Sequence, residues 1–251
     1  MMKAIPTLML MAAGAVFLVS SAPLRAAEVD DRIESSFSKS YAYRTYLQDD
    51  AIKSVSENGV VTLTGQVDEP SHKYLAEETV AGLPGVQRVD NRLRVKLEGT
   101  EKSDAWIRAK VRSVLALHRK VSGSSTQVDV KEGVITLRGL ATSEAQKELA
   151  GEYAGDVQGV LRVANLMTVA KSPSKPEATV VETIDDASIS AQVRVALRSH
   201  RSTSALSTKV ETRDGVVTVS GIAKNVAEKS LVTKLAADIS GVKTVVNNMT
   251  I

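Results

Sequence analysis

Gly59-Val60-Val61-Thr62-Leu63-Thr64-Gly65 is a short alternating strand between two glycines, and the chain contains it three times. It returns as Gly133-Val134-Ile135-Thr136-Leu137-Arg138-Gly139 and as Gly215-Val216-Val217-Thr218-Val219-Ser220-Gly221. Reading outward, Ile33, Ile107 and Ile189 each stand 26 residues before the first glycine. Gly85, Gly159 and Gly241 follow the second glycine by 20 residues, and Asn91, Asn165 and Asn247 come 6 residues later. No insertion or deletion interrupts any copy between these anchors, which is the signature of a repeated structural unit.

Within one unit the periodicity changes from helical to extended and back. Ile33, Phe37 and Tyr41 lie at i, i+4 and i+8, as do Ile107, Val111 and Leu115, and Ile189, Val193 and Leu197. Each set predicts one buried helical face. Asp30, Asp104 and Asp186, three residues ahead of the anchor isoleucines, are expected to cap these helices and oppose their dipoles. A strand follows, then a tight turn at Asn58-Gly59, Glu132-Gly133 or Asp214-Gly215, then the alternating strand with one apolar and one polar face. The first copy carries Ile52 and Val55 where the others alternate as Val128/Val130 and Thr208/Val210, which predicts a bulge or shifted register there. A second helix begins at Glu69-Pro70, Ser143 or Asn225, with Leu75, Leu149 and Leu231 as its buried anchors. The last strand places Asn91, Asn165 and Asn247 on its apolar parity, so their amides are expected to serve backbone groups internally.

The fold class is therefore α+β: three tandem α-β-β-α-β modules, each a three-stranded mixed sheet with two helices on one face. The predicted boundaries are 28–98, 101–170 and 182–251, with a proline-broken linker at 171–181. The first two modules are expected to be closely coupled and the third more independent.

Residues 1–26 read as a cleavable export signal: Lys3, an apolar run from Ile5 to Val19, and a small-residue site at Leu24-Arg25-Ala26. An uncleaved anchor is the alternative, although the run is shorter than the roughly 20 residues that span a bilayer. The whole chain has 32 bases and 29 acids; cleavage removes Lys3 and Arg25 and no acid, leaving 30 against 29. Such a balance gives no global attraction to nucleic acid. There is no cysteine, which excludes disulfides and thiolate metal sites. The three histidines, His72, His118 and His200, lie in different modules, and two occupy equivalent positions, which argues for repetition rather than a metal site. No nucleophile elbow, phosphate-cradling loop or dinucleotide fingerprint is present. Neither cofactor nor catalytic residue is expected.

Two surfaces stand out. Arg108, Arg112, His118, Arg119 and Lys120 in the second copy, and Arg194, Arg198, His200 and Arg201 in the third, place cations on and just after the first helix. The pairs Arg108/Arg112 and Arg194/Arg198 stand four apart and predict exposed stripes suited to lipid phosphates. The plainer alternative is relief of the negative helix end. Tyr41, Tyr43 and Tyr46 form the one aromatic cluster; Tyr41 falls on the core register, and Tyr43 and Tyr46 are candidates for partner contact.

The order of elements, the glycine-bracketed hairpin strand at 59–65 and its counterparts, and the Gly-Val-x-x-Val-x-Asn segment at 85–91 and its counterparts resemble BON domains. That resemblance implies a non-enzymatic bacterial envelope protein in the periplasm, in contact with anionic phospholipid and supporting the envelope under osmotic stress. It also implies, as an alternative, a periplasmic chaperone for unfolded envelope proteins. A purely structural linker between envelope components is a third reading.

Overall fold

A computed structural model describes residues 22–96, 103–121, 125–170, 183–203 and 208–251. The segment read as an export signal lies outside the described residues up to residue 21, as do both linkers. No described helix is long and apolar enough to cross a membrane.

The first module runs α1 (Ala22–Lys39), a π-helical turn (Tyr43–Leu47), β1 (Ala51–Glu57), β2 (Val60–Val67), α2 (Pro70–Ala81), β3 (Arg88–Asn91) and β4 (Arg94–Val95). The second repeats this as α3 (Asp104–Leu117), β5 (Thr126–Lys131), β6 (Val134–Ala141), α4 (Glu144–Gly155), β7 (Arg162–Asn165) and β8 (Thr168–Val169). The third is α5 (Asp186–Ser199), β9 (Thr208–Arg213), β10 (Val216–Gly221), α6 (Val226–Ala237) and β11 (Thr244–Asn247). In every sheet the hairpin strand is central, antiparallel to the strand before it and parallel to the strand after the second helix. Val61, Leu63, Ile135, Leu137, Val217 and Val219 point into the core.

The hairpins turn where predicted. Asn58 and Gly59 both have positive φ, 51° and 76°, as a two-residue type I′ turn requires. The second glycine is there for a different reason: a Cβ on Gly65 would lie 1.8 Å from the Ala51 carbonyl oxygen. The aspartates, however, do not cap their helices. Asp30 accepts from Asn58 N at 2.7 Å, Gly59 N at 2.9 Å and Ser56 Oγ at 2.6 Å. Asp104 and Asp186 clasp their own turns in the same way. A two-residue turn leaves its amides unpaired, and a carboxylate on the adjoining helix satisfies both. The helix caps are instead Ser103 and Asp185, one residue earlier.

Three more expectations change. β1 pairs with β2 without a bulge, Ile52 opposite Gly65 and packed against the core, while Ser54 and Ser56 fill the inward positions that Val128 and Val130 hold in module 2. Val55 points outward. Tyr41 is half-buried rather than core, because Ser40 breaks α1 with a hydrogen bond to the Phe37 carbonyl and Ala42 takes the deep position. Leu149 and Leu231 are also half-buried; Ala150 and Val232, one position later, reach the core.

The largest revision concerns assembly. The first and third modules share one apolar core, to which Leu75, Val80 and Phe37 contribute from one side and Val193, Leu197 and Val217 from the other. The second module keeps its own core around Ile107, Val111, Ile135 and Leu137. Helix α5 lies between the modules, against α2 and α3, and buries Ser188 and Gln192 completely. The third module is thus the hub, not the independent unit.

Candidate functional site

The helix surfaces left over after this packing enclose a cleft of about 900 Å³ with walls from all three modules. Module 1 supplies Tyr41, Tyr46, Asp49, Asp50, Asp68, Glu69 and His72. Helix α3 supplies Arg108, Arg112 and Ser113, followed by Arg119, and Ser240 closes the far side.

Most of the acids on the module 1 wall are already matched. Asp50, its side chain 1% exposed, holds His72 Nδ1 at 2.6 Å and accepts from Asp68 N at 2.8 Å. Asp68 meets Lys96 Nζ at 2.9 Å. Glu69 accepts from the hydroxyls of Ser71 and Ser113, joining modules 1 and 2. On the opposite wall, Arg108 is half-buried and Arg112 exposed, four residues apart on one face of α3. Asp49, Asp50 and Glu69 keep their negative charges, so the cleft sets anions on the module 1 wall against the Arg108/Arg112 pair on the other. Tyr46 faces the cleft beside Tyr41, ring centroids 6.1 Å apart, and burial pushes its phenol well above the ordinary tyrosine range. His72 has its Nδ1 fixed by Asp50, and among the described residues no hydroxyl is hydrogen-bonded to it.

The other predicted cations are engaged elsewhere. Arg194 pairs with Glu78 at 3.0 Å across the module 1–3 contact and donates to the Val210 carbonyl, so it forms no exposed stripe with Arg198. Arg198 lies over the Tyr74 ring, 4.1 Å from its centroid. Arg119 donates to the Ala237 carbonyl at 2.8 Å, while Lys120 and Arg201 lie near Asp238 and Asp156. His118 is 0% exposed and His200 3%, so neither reaches a surface. These two equivalent histidines nonetheless come together, their Nε2 atoms 3.3 Å apart, without a group of three metal-ligating side chains among the described residues. Tyr43 packs edge-on to Phe37 at 5.2 Å and is half-buried against the core. The cleft's Asp50–His72 pair was missed from sequence. Its only signal was a lone histidine in the first turn of a helix.

The three shared asparagines behave as expected: Asn247 donates to the Lys229 carbonyl at 2.9 Å and accepts from Met249 N at 3.0 Å, with Asn91 and Asn165 equivalent. This half-buried clasp, the clasped I′ turn and the α-β-β-α-β order recur in all three units. A BON domain model matches residues 29–96, 103–171 and 185–251. The chain belongs to the BON domain family. Osmotically-inducible protein Y of Escherichia coli is 29% identical over 65% of this chain and 79% of its own length. The outer membrane lipoprotein DolP of Haemophilus influenzae is 31% identical over 45% of this chain and 59% of its own. Among solved structures, the C-terminal domain of CdsD from the type III secretion system of Chlamydia trachomatis aligns with a TM-score of 0.23 and 17% identity, covering 83% of this chain and 93% of that domain. So low a score carries no argument.

Proposed function

We propose that this BON protein is a non-catalytic protein of the bacterial envelope, exported to the periplasm, whose cleft binds the anionic head groups of phospholipid. The observation that carries the proposal is the Arg108/Arg112 pair: two guanidinium groups four residues apart on one helix face, on the wall of an open cleft, neither forming an ion pair at 4 Å or less among the described residues. Guanidinium groups engage phosphate oxygens through planar paired donors. Because the walls come from three modules, the site belongs to the assembled chain and not to three separate weak surfaces. The relatives described as osmotically inducible and as an outer membrane lipoprotein support an envelope role.

Flotation of the full chain with neutral and anionic vesicles tests this. Binding should favour anionic vesicles, weaken steeply between low and high salt, and disappear in the Arg108→Glu/Arg112→Glu double variant. Equal binding to neutral vesicles, or indifference to the reversal, contradicts it. A second reading, chaperoning of unfolded envelope proteins, is favoured by exposed apolar side chains outside the cleft. Leu140 (61% exposed) and Ile222 (66%) occupy equivalent positions in modules 2 and 3. Suppression of client aggregation that survives high salt and is lost in Leu140→Ser/Ile222→Ser would support that reading over the first.

A further inference from the structure

Modules 2 and 3 meet through equivalent residues. His118 ends α3 and pairs, strand-like, with Ile239 of module 3; His200 ends α5 and pairs with Val157 of module 2. Arg119 N donates to the Asp238 carbonyl at 3.0 Å, and Arg201 N to the Asp156 carbonyl at 2.9 Å. Each half thus repeats the other, as in a two-fold dimer written into one chain. At its centre the two imidazoles face each other, Nε2 to Nε2, at 3.3 Å.

That contact needs one proton and has room for no second. His200 Nδ1 lies 3.0 Å from Asp156 Oδ2 and donates to it, so neutral His200 offers a bare Nε2. His118 then donates from its own Nε2, which leaves His118 Nδ1 without a proton. This atom is one of two buried side-chain atoms with no hydrogen-bond partner among the described residues, the other being Asp238 Oδ1. Nδ1 sits 3.4 Å from Asp238 Oδ2, which Tyr153 OH already occupies at 2.8 Å. The Tyr153 ring stacks on His118 at 4.1 Å. The remaining charged groups facing the pair are Arg119 and Lys120, 4.0 and 3.8 Å from Asp238 Oδ1, and Arg201, 3.4 Å from Asp156 Oδ1. Glu152 acts on Tyr153.

We propose that the paired imidazoles make the module 2–3 interface a pH-operated latch, closed when both histidines are neutral and opened by mild acid. Protonating His200 Nε2 would set two N–H groups head to head; protonating His118 Nδ1 would place a cation in a fully buried site. The closed form therefore holds at most one added proton, and the open form, with both rings in water, holds two. Burial, followed by repulsion from His200, holds His118 below the ordinary histidine range even though Asp238 acts upward. For a base so depressed, the interface is favoured above the free histidine value near 6.5 and weakens as pH falls below it. The ratio of open to closed forms should rise up to about tenfold per pH unit for each extra proton bound. Asp156, pushed up by burial but held low on balance by hydrogen bonds from His200 and Ser202, titrates only in a more acid range and does not confuse the reading.

The chain has no cysteine, so spin labels on exposed Gln127→Cys of β5 and Ser230→Cys of α6 report the distance between modules 2 and 3. The expected result is a narrow distance distribution at pH 7.5 that broadens and lengthens by pH 5.5, a change lost in His118→Gln/His200→Gln. Should that variant fail to fold, imidazole titration of the parent protein by NMR decides. His118 titrating below 6.5, in step with the distance change, supports the latch. A distribution unchanged down to pH 5.0, a response retained in the double variant, or His118 titrating near 6.5 without separation overturns it.

Discussion

Leu75→Ala should unsettle two modules at once. Leu75 lies on α2, 3% exposed, in the core shared by modules 1 and 3, with its own sheet on one side and α5 near the other. Truncating a leucine in a closed core costs about 2–5 kcal/mol, more where the walls cannot collapse into the void. With α2 held on both sides, about 3–4 kcal/mol is expected, or a Tm lowered by roughly 6–16 °C for a body of this size. The repeat supplies an internal control. Leu149 occupies the equivalent position in module 2 but is half-buried against a separate core, so Leu149→Ala should cost about 1–2 kcal/mol. Hydrogen exchange distinguishes the two beyond their size. Leu75→Ala should speed exchange of the β10 amides in module 3, and Leu149→Ala should leave them unchanged. Equal costs for the two variants, or β10 protection untouched by Leu75→Ala, would refute the shared core.

Asp30 and Asp104 are held below the ordinary carboxylate range, Asp30 first by Ser56 and then by Gly59, Asp104 first by Gly133 and then by Glu132. A depressed carboxylate stabilises the fold above its unfolded value near 3.9 and loses that contribution as pH falls through its folded value. Carboxyl ¹³C titrations should show both midpoints depressed, and Asp30→Asn should flatten the acid limb of the stability curve; ordinary midpoints would contradict the clasp. Asn247→Ala orphans Met249 N and removes one of the bonds to the Lys229 carbonyl, and should cost about 1–3 kcal/mol. In denaturant titration the neighbouring exposed Asn248→Ala should stay within about 0.5 kcal/mol.

The interior of each module was legible because a repeat exposes the spacing that its own contacts impose. Glycines demanded by turns, alternation along the hairpin strand and the backbone-clasping asparagine all recur at fixed offsets. Packing between modules leaves no such trace, since it joins residues far apart in sequence and here uses polar groups. Ser188 and Gln192 on α5 look like a solvated face, yet Ala42 N donates to Ser188 Oγ at 3.0 Å and Tyr46 OH to Gln192 at 3.4 Å. A signal was present: besides its anchors, α5 carries Ala187, Ser188, Ala191, Gln192 and Ser199, small or uncharged residues that suit close helix approach. Asp104 and Asp186 were misread because a carboxylate at the first residue of a helix satisfies the capping pattern as well as it satisfies a neighbouring turn, and Asp30 because α1 starts further upstream, at Ala22. His118 and His200 were misread because equivalence in sequence suggests separation, whereas a two-fold arrangement of repeats brings equivalent residues together.

The central claim is that three repeats fold into one body around α5, and that this assembly creates the cleft. Small-angle scattering from the chain after residue 26 tests it directly. A single body of about 225 residues should give a radius of gyration near 17 Å, with one maximum in the pair-distance distribution at neutral pH. Separate modules of about 11 Å each, held apart by their linkers, would exceed about 25 Å and show further maxima, contradicting the account.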